Sequence, residues 1–405
     1  VVLHPGDDAT FHTQLARVVE FLELRARARE RLRRLRFRPA FPSLRPGQET
    51  TERELTSAFE RHPAVLFEAP TGFGKTGVLL EFALGQLRAG HFERVLYLTS
   101  KATGQLQVVR TLAAMTAADA AADASASTAL AVWHVRNKAE HCVNHTFHCV
   151  RDSCAFLADV AARWPASGLS RFYLFENQPR DLPTLRAAGQ QAGICPYEIT
   201  RTALAFNDVW IGDYNYVFAP RNRGLFFDQP GFVPARTLLV IDEAHNLPGR
   251  VADAYSLAAT ADEARPLLAE LDHQRAAPAL LRAWENWTQL LAALPASDSL
   301  DPALEADVTD ALDQVVRALG NSTLDYAALG PAFSDLLWRS QDLAEWLADP
   351  SIDKLLWSPH PAELRFTCLN AAAPIGRALR EFGGVVCSTA TFGPPAEFAE
   401  ACAVA

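Results

Sequence analysis

Short apolar runs rich in β-branched and aromatic residues punctuate this chain, and between them apolar residues recur every three to four positions. The first pattern predicts buried strands and the second amphipathic helices. Residues 10–36 read as one helix, with Phe11, Leu15, Val18, Val19, Leu22, Leu32 and Leu35 at helical spacing. Pro39, Pro42 and Pro46 break that pattern, and a second helix runs from about Pro46 to Phe59. Ala64-Val-Leu-Phe67 and Val95-Leu-Tyr-Leu98 have the length and composition of strands. A helix follows the second from about Gln105, and residues 111–131 are an Ala-rich helix end or connector.

Strand pattern is poor over residues 133–197 and returns with Asp208-Val-Trp-Ile211, followed by Asp213-Tyr-Asn-Tyr-Val217. Thr237-Leu-Leu-Val-Ile-Asp242 is a nearly continuous apolar run ending in an acid, as a strand covered on both faces would read. From about Gly249 to Glu363 the spacing is almost wholly helical, with Trp284, Trp287 and Trp346 on apolar faces as core residues. Leu364-Arg-Phe-Thr-Cys-Leu369 and Gly384-Val-Val-Cys387 close the pattern as strands. Strands alternating with helices predict an α/β fold around a parallel sheet.

Composition adds little to this plan. At 405 residues, 49% of them hydrophobic, the chain can bury a large core in two to three domains. No apolar run is long enough to span a bilayer, no signal peptide is visible, and the first residue is not Met, which suggests a processed or excised chain. Seven cysteines, an odd number without an export signal, favour reduced thiols or metal ligands over disulfides and a cytoplasmic setting. The net charge of −9 is unevenly spread. Arg25, Arg27, Arg29, Arg31, Arg33, Arg34, Arg36 and Arg38 form a basic row, read as a solvated face. Asp298, Asp301, Glu305, Asp307, Asp310 and Asp313 form an acidic span. Surface charge acts over about a Debye length, so this balance neither supports nor excludes nucleic acid.

The chemistry lies in two motifs. Glu68-Ala-Pro-Thr-Gly-Phe-Gly-Lys-Thr76 joins a strand to a helix and matches a Walker A loop, with Ala69 at the position of its first glycine. Such a loop aims backbone N–H groups from Pro70, Thr71, Gly72, Phe73 and Gly74 onward toward a phosphate, proline itself lacking the donor. Lys75 would reach the β/γ-phosphates and Thr76 would ligate Mg²⁺. Val240-Ile-Asp-Glu-Ala-His245 ends the buried strand, so Asp242 can hold Mg²⁺ and Glu243 can polarise an attacking water.

Together these motifs resemble the DEAH-box helicases of superfamily 2. Arg45-Pro-Gly-Gln48 is similar to the group's Q motif, which implies that Gln48 and Arg45 read or buttress adenine. Thr99-Ser-Lys-Ala-Thr-Gly-Gln105 resembles motif Ia, and Ser388-Thr-Ala-Thr391 resembles motif III. Cys142, Cys149, Cys154 and Cys195-Pro-Tyr, followed by Asp213-Tyr-Asn-Tyr216, resemble the XPD/DinG helicases, whose four thiolates at this point hold a 4Fe–4S cluster. Four thiolates suit a structural Zn²⁺ equally, and Cys with one of His141, His145 or His148 would also make a zinc site. Cys368, Cys387 and Cys402 read as small core hydrophobes.

The resemblance implies a RecA-like P-loop sheet over residues 1–132, 198–248 and 364–405, with a cluster insert at 133–197 and a helical arch at 249–363. It implies ATP, Mg²⁺ and a 4Fe–4S cluster as cofactors and single-stranded or forked DNA as partner, with 5′→3′ translocation. Lys101, Thr103 and Tyr216 are candidate DNA contacts, and Trp164, Phe172 and Tyr173 beside Arg163 and Arg171 could stack on bases. Superfamily 2 helicases need a second RecA-like domain bearing an arginine finger, which residues 392–405 cannot supply. These 405 residues alone are therefore expected to hydrolyse ATP poorly. The competing reading is a non-catalytic, nucleotide-gated module that binds DNA or, through the acidic arch, a protein.

Overall fold

The computed structural model describes residues 8–117, 130–174 and 180–404. Nine strands are present among them: β1 (Ala64–Glu68), β2 (Arg94–Thr99), β3 (Val132–His134), β4 (Val209–Gly212), β5 (Thr237–Asp242), β6 (Leu257–Thr260), β7 (Asp353–Trp357), β8 (Glu363–Asn370) and β9 (Gly384–Thr389). Six form one sheet in the order β1-β9-β5-β2-β4-β3, with every pairing parallel. β2, β5 and β9 are buried along their whole length, which is why they read as unbroken apolar runs.

Side-chain alternation splits that sheet between two cores. Tyr97, Leu238, Val240 and Val386 face one side, with Leu79, Phe82 and Ala83 of the helix Lys75–Ala89 and Val108 and Leu112 of the helix Ala102–Thr116. Leu96, Leu98, Leu239, Ile241 and Cys387 belong to the other core, which continues into Trp284, Trp287 and Leu312. The result is a three-layer α/β arrangement. In it the two arch tryptophans are buried to 1% exposure, as core residues.

The long helical region is bounded by sheet that its pattern did not reveal. β6, β8 and β7 form a separate antiparallel sheet in that order, flanking the helices Ala261–His273, Pro278–Ala293, Pro302–Gly320 and Tyr326–Ala348. Leu257-Ala-Ala-Thr260 has helix-favouring alanines and is held extended by pairing with β8. β8, read from the sequence together with the P-loop sheet, joins this second sheet instead.

The first helix, Asp8–Arg33, turns a different face inward from the one its apolar spacing suggests. Arg25, Ala28 and Leu32 are buried, while Phe11, Leu15, Val18, Val19 and Leu22 are exposed. Arg25 and Arg31 both pair with Asp208, whose side chain has no exposed surface, so part of the basic row is structural rather than solvated. The Ala-rich stretch is helical to Thr116, and residues 118–129 within it lie outside the described residues. No helix among the described residues is long and apolar enough to cross a membrane.

Candidate nucleotide site and the groove beside it

In a parallel sheet the loops at the strand C-termini share one edge, and both motifs sit there. β1 passes into the Walker A loop at Glu68, and the Ala69 N–H donates to the Thr389 carbonyl at the end of β9 (3.2 Å). Gly74 has φ +92°, and a Cβ there would lie 2.6 Å from Phe41 Cζ and 2.9 Å from Gln48 Nε2. A left-handed backbone and this close packing both require glycine. Gly74 caps the helix Lys75–Ala89 without a side-chain bond to its first N–H groups. Lys75 Nζ donates to the Ala69 carbonyl at 3.1 Å, folding the ammonium over the loop.

The register Phe67–Ser388–Asp242–Thr99 puts the acid of β5 level with the start of that loop. Tyr97, fully buried on β2, donates from its hydroxyl to Asp242 Oδ2 (3.1 Å), with Thr76 close to the same phenol. Burial pushes the Asp242 carboxyl above its ordinary value and the Glu243 charge adds to this, while Tyr97, the Glu243 N–H and the Lys75 charge pull it down. Lys75, Thr76, Asp242 and Glu243 therefore converge.

Glu243 adopts φ 54° and ψ 44°, a left-handed conformation uncommon for a residue with a side chain. Its carbonyl accepts from Tyr214 Oη (2.9 Å) and Asn246 Nδ2 (3.1 Å). Next to it, His245 Nδ1 lies 2.7 Å from Thr389 Oγ1 and 3.4 Å from the Glu243 carboxylate, linking the DEAH box to the end of β9.

Gln48 is 1% exposed and spends its amide inside the protein. Its Oε1 accepts from the Arg45 N–H (2.7 Å), and its Nε2 donates to the Phe73 carbonyl (2.6 Å). The Arg45 guanidinium donates to the Gly72 carbonyl. Both residues buttress the Walker A loop, and Gln48 does not present a free amide edge to a base.

Beside the nucleotide edge lies a groove of about 970 Å³. It is lined by Ala102, Arg136, Lys138, Tyr197, Arg201 and Tyr216 among others. Lys101 and Thr103 are exposed around Ala102. Lys138 Nζ sits 5.8 Å above the Tyr197 ring. Tyr216, a candidate contact, is mostly buried and packs on Phe226 at 5.0 Å between centroids. Phe172 and Tyr173 are not stacking platforms: both are buried, and Tyr173 stacks on Phe206 at 4.9 Å. Trp164 Nε1 donates to the Tyr173 hydroxyl (3.3 Å). Arg163 donates to carbonyls of Gly193 and Ala155 and so serves the fold of the insert.

The four thiols of the insert are half-buried and free. Burial pushes the Cys195 thiol up to about 11, and charge on Cys149 contributes, so these two are near one another. Asn144 Nδ2 lies 3.6 Å from Cys154 Sγ. Among the described residues, however, no three His, Cys, Asp or Glu side chains form a group that could hold a metal ion. The four-sulfur convergence implied by the resemblance is not formed, and no step below runs through a cluster. His141, one of the alternative zinc ligands, is buried with Nδ1 at 2.9 Å from the Asn137 carbonyl and Nε2 at 3.1 Å from Thr200 Oγ1. Cys368, Cys387 and Cys402 are buried in the core.

Tyr97 binds the Asp242 carboxylate and Tyr214 the carbonyls of Asp242 and Glu243, yet neither belongs to the Walker A or Asp-Glu-Ala-His motif. The signal available for Tyr97 was a hydroxyl-bearing residue inside an otherwise apolar strand, two positions before its polar end.

Residues 126–263 match the DEAD_2 family. Among solved structures, one titled as an XPD helicase superposes with a TM-score of 0.56 at 16% identity, covering 90% of this chain and 61% of that one. A truncated XPD gives 0.56 at 15% identity, covering 89% of this chain and 97% of that one. The chain thus spans 61% of the length of the first. The DEAD_2 match thus covers the stretch that ends just past the Asp-Glu-Ala-His box, and the chain shares its fold with these XPD structures.

Proposed function

We propose that these residues form the nucleotide-binding half of an ATP-driven DNA helicase that moves 5′→3′ along a single strand in the intact protein. The observation that carries this reading is that Asp242, bound by the Tyr97 hydroxyl and level with the start of the Walker A loop, lies within reach of the Lys75 charge. It supports reading the two motifs as parts of one site. Lys75 and the N–H groups of the Walker A loop would hold the β- and γ-phosphates, while Thr76 and Asp242 would hold Mg²⁺. The bound ion supplies charge neutralisation at the phosphate oxygens. Glu243, beside Asp242, orients and polarises the attacking water. Arg45 and Gln48 keep the loop in shape through the Gly72 and Phe73 carbonyls.

The groove suits a single strand, with Arg136, Lys138 and Arg201 toward phosphates, Tyr197 toward bases, and Lys101 and Thr103 at its rim. About four such cations would give a log–log salt slope of roughly −3 for single-stranded DNA. Fluorescence anisotropy across a salt series tests this. Lys138→Ala should flatten the slope by about 0.7, whereas binding that ignores salt contradicts the assignment. The resemblance also assigns Cys142, Cys149, Cys154 and Cys195 to a 4Fe–4S cluster. About four irons per anaerobically purified chain would support that ligand set, and stoichiometric zinc would exclude it.

A further inference from the structure

Tyr214 stands where the nucleotide site and the groove meet. Its ring is buried, and its one hydroxyl proton faces two acceptors, the carbonyls of Asp242 and Glu243, the latter at 2.9 Å. Ser100, which precedes the exposed Lys101, lies close to the same hydroxyl. On its own turn, Asp213, Asn215 and Tyr216 all line the groove. That turn is braced by the Asn215 N–H donating to Asp213 Oδ1 (2.9 Å) and by an Asp213–Arg250 ion pair (3.5 Å). One phenol therefore joins the turn that forms part of the groove wall to the carbonyls of Asp242 and Glu243.

A single proton cannot fully satisfy two carbonyls, so a small shift of the turn transfers the bond from one to the other. The peptide between those carbonyls sets the direction of the Glu243 side chain. Glu243 is also the residue held in a left-handed conformation, which persists only where its surroundings impose it. We propose that Tyr214 is a positioning residue that couples occupancy of the groove to the geometry of the nucleotide site, through the turn that carries it and the hydrogen bonds from its hydroxyl to the carbonyls of Asp242 and Glu243. This rests on the assignment of the groove to single-stranded DNA and of the sheet edge to Mg·ATP.

Coupling is a thermodynamic quantity, readable without turnover. The affinity for single-stranded DNA is measured with and without a non-hydrolysable ATP analogue and Mg²⁺, in the whole chain and in Tyr214→Phe, alongside thermal melts. The expected result is a shift of about fivefold or more in the unsubstituted chain, falling to within twofold of unity in Tyr214→Phe while both ligands still bind. A merely structural role would lower the melting temperature and leave the coupling factor unchanged. A Tyr214→Phe protein that keeps the full factor overturns the proposal, as does an unsubstituted chain that binds both ligands independently. If the unsubstituted chain fails to bind either ligand, the underlying assignment falls and the coupling with it. Should Tyr214→Phe not fold, Arg250→Ala removes the ion pair that braces the same turn and must weaken the coupling for the proposal to stand.

Discussion

Asp242 is the residue on which the nucleotide site turns, and its environment is costly. Burial and the neighbouring Glu243 charge hold its folded-state carboxyl above the ordinary carboxylate value. For a raised acid the sign is fixed: stability from this group is fully present below the unfolded value and is lost as pH rises through the folded one. At neutral pH without Mg²⁺ the buried charge therefore destabilises the fold. Asp242→Asn should raise the melting temperature of the metal-free protein at pH 7 to 8, with a smaller gain below pH 4. It should also abolish the extra stabilisation that Mg²⁺ and nucleotide confer on the unsubstituted chain. Differential scanning calorimetry reads both, and a lower melting temperature for Asp242→Asn at neutral pH would show that the carboxylate is compensated. The meeting of the Walker A loop and the Asp-Glu-Ala-His box at one sheet edge was legible because each motif is contiguous in sequence and follows a strand. Tyr97 acts on a residue 145 positions away, a relation visible only once β2 and β5 are paired.

Among the elements, the helix Asp8–Arg33 shows where spacing misleads. Its apolar residues Phe11, Leu15, Val18, Val19 and Leu22 stay exposed. The helix is anchored by Leu32 and Ala28 and by Arg25 and Arg31 on Asp208. Asp208 also accepts from the Ala131 N–H at 3.1 Å, so one buried carboxylate ties the helix, the start of β4 and the approach to β3 together. Removing one partner of a buried ion pair strands the other, at a cost of about 3–5 kcal/mol. Asp208→Ala should lose stability of that order in urea denaturation, while Glu30→Ala, whose arginine partners are exposed, should change it by less than about 1 kcal/mol. Equal effects would return the arginine row to the role of solvated surface. β5 was readable because a strand covered on both faces has to be apolar throughout. β6 was not, because Leu-Ala-Ala-Thr carries no strand preference and takes its conformation from β8.

Across the whole molecule, the parallel sheet presents two functional edges in one place. Strand C-termini gather the Walker A and Asp-Glu-Ala-His motifs, and the groove opens beside them with Ala102 and Tyr216 in its wall. The arch is tied to this assembly by charge: Arg221 at the groove pairs with Asp335 (3.0 Å) and Asp342 of the helix Tyr326–Ala348. The sheet, the two nucleotide motifs and the helical region could be read from pattern and motif. How the cysteines are disposed could not, since 133–197 has little periodicity from which to build a scaffold. One Mg·nucleotide is expected between Lys75–Thr76 and Asp242–Glu243. Isothermal titration calorimetry of a non-hydrolysable ATP analogue tests it most directly, in the presence of Mg²⁺ and of EDTA. The expected result is one site per chain whose affinity falls at least tenfold, about 1.4 kcal/mol, without Mg²⁺ and again in Lys75→Ala. Binding that is indifferent to both the metal and Lys75 would place the nucleotide elsewhere and contradict the account.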